Sequence, residues 1–199
     1  ELALLLKDKF TDEITIINDD VLKISEDKIS NEKLTVFGNL PYNISTEILS
    51  KWIVNIDKNF WFENLVLMFQ KEVAERIIAE PNTSKYGRLS ILSNWKLHIK
   101  KIIDIKPLSF SPRPKIDSTL LLFTPRENFF KLKEAKNLEM ITRVFFSQRR
   151  KMLKKPFNQI FNDAKAVSEK FNIDLNLRPQ NLEPEMYFNL VKEYESLRR

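Results

Sequence analysis

The chain has 199 residues, 43% of them hydrophobic and 30% charged, which suits a folded protein with one full domain and a small second one. With no cysteine and a single histidine it has neither disulfides nor thiolate metal sites, and no paired spacing for a zinc ligand set. Its net charge of +6 is uneven: residues 1–84 hold 9 Lys/Arg against 15 Asp/Glu, residues 85–124 hold 8 against 2, and residues 125–199 hold 16 against 10. A basic second part favours a polyanionic partner held through counterion release, although a solvated lysine-rich surface carries the same charge. No apolar run approaches the ~20 residues that cross a bilayer.

In chain order, the β-branched run Ile14-Thr15-Ile16-Ile17, closed by Asn18-Asp19-Asp20, predicts a buried strand. Leu34-Thr35-Val36-Phe37-Gly38 predicts a second strand, and Ser45 is expected to cap a helix near 46–55 with Ile48, Leu49, Trp52 and Ile53 on one face. Leu65-Val66-Leu67-Met68-Phe69 predicts a third strand, followed by a helix near 71–79. Such alternation implies an α/β fold with a mainly parallel sheet, whose ligands bind beyond the carboxyl ends of the strands. Asp20 and Asn39 are both expected at such ends. A helix over 87–96 and strands over 99–105 and 116–123 follow, the strands joined by the proline-rich loop Pro107–Pro114. Beyond Pro125 the spacing turns helical through Leu138, Ile141, Val144 and Phe145, with further helices expected near 157–171 and 184–196. The domain boundary is therefore set near 125.

Asn39-Leu40-Pro41-Tyr42, directly after the second strand, carries the most chemistry. The amine of an aromatic base is a poor nucleophile because its lone pair is delocalised into the ring. Acceptors fixed on its hydrogens, such as the Asn39 side chain and the carbonyl of Leu40 or Pro41, favour a more pyramidal nitrogen. Tyr42 offers a face for a base withdrawn from its helix, and Pro41 stiffens the loop. The same four residues also suit an ordinary strand-end turn. Glu72 and Glu75 read as helix-surface carboxylates, and His98 as a packed or surface residue. Trp52, Trp61 and Trp95 read as core or partly buried aromatics.

Asn39-Leu40-Pro41-Tyr42-Asn43-Ile44-Ser45 resembles the catalytic motif of the ribosomal RNA adenine dimethyltransferases, the KsgA family. Four further blocks are similar and follow in the family's order: Phe69–Arg76, Tyr86–Ser90, Phe110–Ser118 and Phe146–Lys151. The resemblance implies a partial Rossmann-like S-adenosylmethionine methyltransferase domain over 1–124 and a small all-helical, basic, RNA-binding domain over 125–199. It implies that Asn39, Leu40, Pro41 and Tyr42 hold the target adenine, with Phe110 as the opposite face of an aromatic clamp. Asp20, with Val21 beside it, would hold the adenine end of S-adenosyl-L-methionine together with Asn39. Arg88, Arg113 and Lys115 would position RNA near the base pocket, and Arg149, Arg150, Lys151 and Lys154 would grip phosphates. The implied reaction dimethylates two adjacent adenosines near the 3′ end of small-subunit ribosomal RNA, without metal, in the cytoplasm, by a monomer engaging the small ribosomal subunit.

Similar proteins carry a glycine-rich loop, and this chain has only Gly38 and Gly87. Glu1-Leu2-Ala3 aligns just after the strand bearing the family's acidic residue for the cofactor ribose, so the chain by itself is expected to be inactive. Two other readings remain open: a non-catalytic RNA-binding or ribosome-assembly module, and a related methyltransferase of large-subunit ribosomal RNA.

Overall fold

A computed structural model describes residues 2–10, 13–56 and 59–198, with the side chain of Asp27 left aside. The chain divides into two compact units, Glu1–Glu32 and Lys33–Arg199. The first contains helix α1 (Leu2–Lys9) and a 3-10 turn (Glu26–Lys28). Residues 14–17 form no strand, and Ile14 and Ile17 are 49% and 51% exposed. β-branched residues favour the extended backbone, but a strand exists only where a neighbour completes its ladder, and none does so among the described residues. Asp20 consequently ends no strand. It sits in a turn closed by Lys23 N donating to Asp20 O at 2.8 Å.

The second unit holds a four-stranded sheet of β1 (Leu34–Asn39), β2 (Phe62–Gln70), β3 (Leu97–Ile105) and β4 (Ser118–Pro125), in the order β1-β2-β4-β3. β1 pairs with β2 in parallel, whereas β4 pairs antiparallel with both β2 and β3. The expectation of a mainly parallel sheet is corrected here. β3 and β4 are joined as a hairpin, which forces opposite directions, and β4 then inserts between β3 and β2. The carboxyl ends of β1, β2 and β3 and the amino end of β4 share one rim.

Helix α2 (Ser45–Asn55) makes the crossover from β1 to β2 and buries Ile48, Leu49, Trp52 and Ile53 at helical spacing. Its N-cap is Ile44 and not Ser45, whose hydroxyl instead donates back to Tyr42 O at 3.2 Å. At the other end of α2, the buried Lys96 reaches across and donates through Nζ to Ile53 O at 3.0 Å and to Ile56 O. The ammonium lies 3.9 Å from the centre of the Trp95 ring, so its charge meets carbonyls and an aromatic face in place of water. Helix α3 (Lys71–Ile77) follows β2 without a loop, and α4 (Arg88–Lys96) runs straight into β3.

The rest is helical: α5 (Ala135–Ser147), α6 (Lys154–Ile160), α7 (Ala164–Lys170) and α8 (Pro184–Leu197). The single helix expected near 157–171 is two. The chain leaves helical geometry at Phe161, and Asp163 caps a new start by accepting from Ala166 N at 2.9 Å. An aromatic cluster of Phe145, Phe157, Phe161 and Tyr187 joins α5, α6 and α8, with ring centres 5.5 to 5.6 Å apart. Trp52 and Trp95 are buried, Trp61 is half-buried, and His98 is exposed.

Glu195 is 7% exposed and satisfies the amino end of α5. Its two carboxylate oxygens accept from Lys133 N (2.9 Å), Glu134 N (3.1 Å) and Asn137 Nδ2 (2.9 Å). A carboxylate at a helix N-terminus also opposes the macrodipole favourably. Replacing Glu195 by alanine leaves those donors unpaired and should destabilise the fold by about 2–3 kcal/mol. That corresponds to a fall in Tm of about 5–10 °C, readable by circular dichroism. Glu195→Gln retains an acceptor and should lose roughly half as much.

Candidate nucleobase site at the sheet rim

Asn39 ends β1 opposite Met68, and Gln70 ends β2 opposite Ser118. The loop Leu40–Ile44 leaves that rim as a tight turn, with Ile44 N donating to Pro41 O at 3.1 Å. Gly38 is required by the close seating of β1 on β2, because a Cβ there would lie 2.6 Å from Cδ2 of the fully buried Leu67. Asn39 and Pro41 are exposed, Leu40 is buried, and Tyr42 is half-buried. Neither the Leu40 carbonyl nor the side-chain amide of the exposed Asn39 has a hydrogen-bond partner among the described residues.

Tyr42 is tethered. Its hydroxyl and that of the fully buried Ser118 lie 2.6 Å apart. Ser118 opens β4, so this bond ties the loop after β1 to the far side of β2. The same serine ends the loop that carries Phe110, Arg113 and Lys115, which brings all of these to one rim. Phe110 is half-buried, and its ring makes no contact with that of Tyr42 among the described residues, while Arg113 and Lys115 are exposed. The neck of the loop is closed by Lys106 Nζ donating to Asp117 at 2.8 Å and by Lys71 N donating to Asp117 O at 2.9 Å.

Beside the neck, Asp104 accepts from Lys101 Nζ at 2.7 Å and from Thr119 Oγ1 at 2.7 Å, with Lys71 Nζ at 3.6 Å. These donors, Lys101 first, hold its carboxyl down to about 2 against an ordinary 3.8. A lowered carboxylate contributes stability above its unfolded value and loses it as pH falls through about 2, so the brace persists at every pH near neutrality. Glu72 and Glu75 pair with Arg76 and Lys85 on the helix surface.

Asp20 and Val21 belong to the first unit. The Asp20 carboxylate accepts from Leu22 N at 3.0 Å, and Lys23 Nζ lies 3.9 Å away. Its side chain is 45% exposed, which keeps lone pairs available to an incoming amine. Arg88 opens α4 and lines a cavity of about 310 Å³ with Thr46 and Ser50 of α2 and with Arg76.

The basic run beyond α5 is not uniform. Arg149 is half-buried, donating through Nη2 to Thr83 O at 2.9 Å and through Nε to Gln180 Oε1 at 3.3 Å. It fastens the 80–86 segment to the turn Pro179–Asn181, where Asn82 N also donates to Gln180 O at 2.8 Å. Two phenols complete this clasp, Tyr86 donating to Leu182 O at 2.9 Å and Tyr187 to Pro179 O at 2.6 Å. Burial pushes both well above the ordinary phenol range, so both stay protonated as donors. Arg150, Lys151 and Lys154 instead line an open depression of about 610 Å³ with Lys155 and Arg178, and no acidic residue borders it.

Ser118 carries a role that the sequence alone did not assign to it. The only signal was its place at the end of the Phe110–Ser118 block, and a side-chain bond across 76 residues has no local signature. Tyr42→Phe or Ser118→Ala should each cost about 1–2 kcal/mol in urea unfolding by leaving the other hydroxyl unpaired. The double substitution should cost no more than the larger single one, and additive losses would mean that the two hydroxyls act separately.

The family model for ribosomal RNA adenine dimethylase matches residues 1–196. A protein of Pelagibacter ubique (strain HTCC1062) named ribosomal RNA small subunit methyltransferase A is 77% identical over 198 residues, covering 100% of this chain and 76% of that protein. A protein of the same name from Wolbachia sp. subsp. Drosophila simulans (strain wRi) is 44% identical, covering 92% of this chain and 66% of its own length. The fold is similar to a dimethyladenosine transferase from Plasmodium falciparum, with a TM-score of 0.80 at 24% identity, covering 96% of this chain and 77% of that one. It is also similar to the 23S rRNA methyltransferase ErmE, with a TM-score of 0.65 at 18% identity, covering 98% and 78%. With Asn39–Tyr42 seated at the rim of a methyltransferase-like α/β fold and the family model matching nearly end to end, the chain belongs to the ribosomal RNA adenine dimethylase family.

Proposed function

We propose that the protein transfers methyl groups from S-adenosyl-L-methionine to the exocyclic amines of two adjacent adenosines near the 3′ end of small-subunit ribosomal RNA, during small-subunit maturation. The observation that carries this reading is the rim loop. Two acceptors without a partner among the described residues, the Asn39 amide oxygen and the Leu40 carbonyl, belong to the loop of a tyrosine held in place by Ser118.

A purine amine presents two hydrogens, and two acceptors fixed on a stiff loop match them. They draw the nitrogen toward a pyramidal geometry and free its lone pair for attack. Positioning and preorganised polarity supply this, so no strong base is required. Tyr42 supports the face of the withdrawn base, and Phe110 faces it from the next loop. The cofactor, when bound, would supply an electrophilic sulfonium methyl for the amine nitrogen, its sulfur keeping the carbon–sulfur electron pair and the displaced N–H proton going to water. The half-exposed Asp20 carboxylate, with Val21 beside it, has lone pairs suited to the donor hydrogens of the cofactor's adenine.

Residues 125–199 would hold RNA, with Arg150, Lys151 and Lys154 meeting phosphates in the acid-free depression and Arg88, Arg113 and Lys115 acting nearer the base. Arg149 serves mainly as a clasp.

Asn39→Ala should lower dimethyladenosine formation in unmodified small subunits by at least about 100-fold while leaving subunit binding intact. Mass spectrometry of digested RNA reads the product, and undiminished formation would remove Asn39 from the mechanism. Neutralising Arg150 and Lys151 together should reduce the salt slope of RNA binding by about 2. Arg149→Met should lower Tm with little change in that slope, and a full unit of lost slope would show that Arg149 meets phosphate.

A further inference from the structure

The loop between β3 and β4 presents an apolar side chain that neither the fold nor the proposed chemistry uses. Leu108 is 77% exposed, at the middle of the 3-10 turn Pro107–Ser109. Single exposed leucines are ordinary on protein surfaces. This one differs in being held rigidly. Pro107 presets the turn, Ser109 N donates to Lys106 O at 3.0 Å, and Phe110 N donates to Pro107 O at 3.2 Å. The turn stands on the neck closed by Lys106 and Asp117.

Its position is equally defined. Ile105 pairs with Ser118, the residue that tethers Tyr42, and three residues of chain span at most about 10 Å. Leu108 is therefore at the same rim as the base loop, two residues before Phe110. The loop from 106 to 116 holds no acidic residue, and while Lys106 is paired with Asp117, Arg113 and Lys115 are exposed, a charge that suits an anionic partner. An apolar side chain offered to an anionic partner from within a cationic loop suits the stacked bases of a nucleic acid, whose faces are apolar and whose backbone is charged.

We propose that Leu108 is a wedge that enters the RNA stack as the target adenine is withdrawn, filling the space the base leaves. Withdrawing a base costs its stacking, and an inserted aliphatic side chain recovers part of that cost. This rests on the base-withdrawal reading above and adds to it a residue that touches the RNA beside the reacting nucleotide.

The test uses the intact protein with Leu108→Ser and Leu108→Met. One substrate is an RNA hairpin with the target adenosine stacked in a helix, and the other is a short unstructured RNA of the same local sequence. Leu108→Ser should fold with unchanged Tm and lower kcat/KM on the hairpin by about tenfold, with the unstructured RNA methylated as before. A hairpin carrying 2-aminopurine at the target should show a smaller fluorescence gain on binding Leu108→Ser, and Leu108→Met should restore both readouts. Equal losses on the two RNAs, or no loss on either, would overturn the wedge. The two failures are separable. If the unsubstituted protein leaves unmodified small subunits unmethylated, the methyltransferase reading itself fails. Subunit methylation with Leu108→Ser matching the unsubstituted protein on the hairpin overturns the wedge alone.

Discussion

Strand β2 is paired on both sides, and its register sets everything at the rim. Met68 faces Asn39 across the parallel ladder and Leu120 across the antiparallel one. Side chains alternate along a strand, so a slip of one residue on either side would turn the buried leucines outward. The fully buried Leu65, Leu67 and Phe69 make that slip costly. With the register fixed, Asn39 and Ser118 emerge on the same edge from strands running in opposite directions. The hydroxyl bond between Tyr42 and Ser118 then closes the loop over that edge. The placement of the rim loop is thus a consequence of core packing along β2.

The chain was most legible where local physics decides. α2 follows from the spacing of Ile48, Leu49, Trp52 and Ile53, and the Asn39–Tyr42 box stands out because a polar amide and a proline close an apolar run. It was least legible where partners are distant. Nothing local in Ile14–Ile17 reveals that its ladder is absent among the described residues, and nothing local in Ser118 reveals Tyr42. The direction of β4 was missed for the same reason, because alternating strands and helices suggest a parallel sheet until the hairpin between β3 and β4 is seen. The run Arg149-Arg150-Lys151 reads as three equivalent cations, yet one turns inward to carbonyl and amide oxygens while its neighbours face an open, acid-free surface. A helix end and its following turn divide adjacent charges in a way that composition does not record.

Four of the polar side chains placed inside this fold work at the ends of helices or at turns. Glu195 meets the amino end of α5, Lys96 the carboxyl end of α2, and Tyr86 and Tyr187 the turn before α8. Each satisfies backbone groups that the helix or turn leaves over, so burial of the charge or hydroxyl is offset where it occurs. Asp104 does the comparable task for side chains beneath the proline-rich loop. The aromatic residues, by contrast, supply area and shape to the helical part.

Helix α2 is fastened at both ends, by the Ser45 hydroxyl to Tyr42 O before it and by the Lys96 ammonium to the carbonyls of its last turn. Helices of this length ordinarily fray, and their terminal amides exchange with solvent long before their centres do. Here the 11 residues have no loose end from which fraying starts. Their amides should exchange together, at the rate of the sheet on which they lie, so that the loop ahead of Ser45 is mounted on a support that opens only when the sheet itself opens.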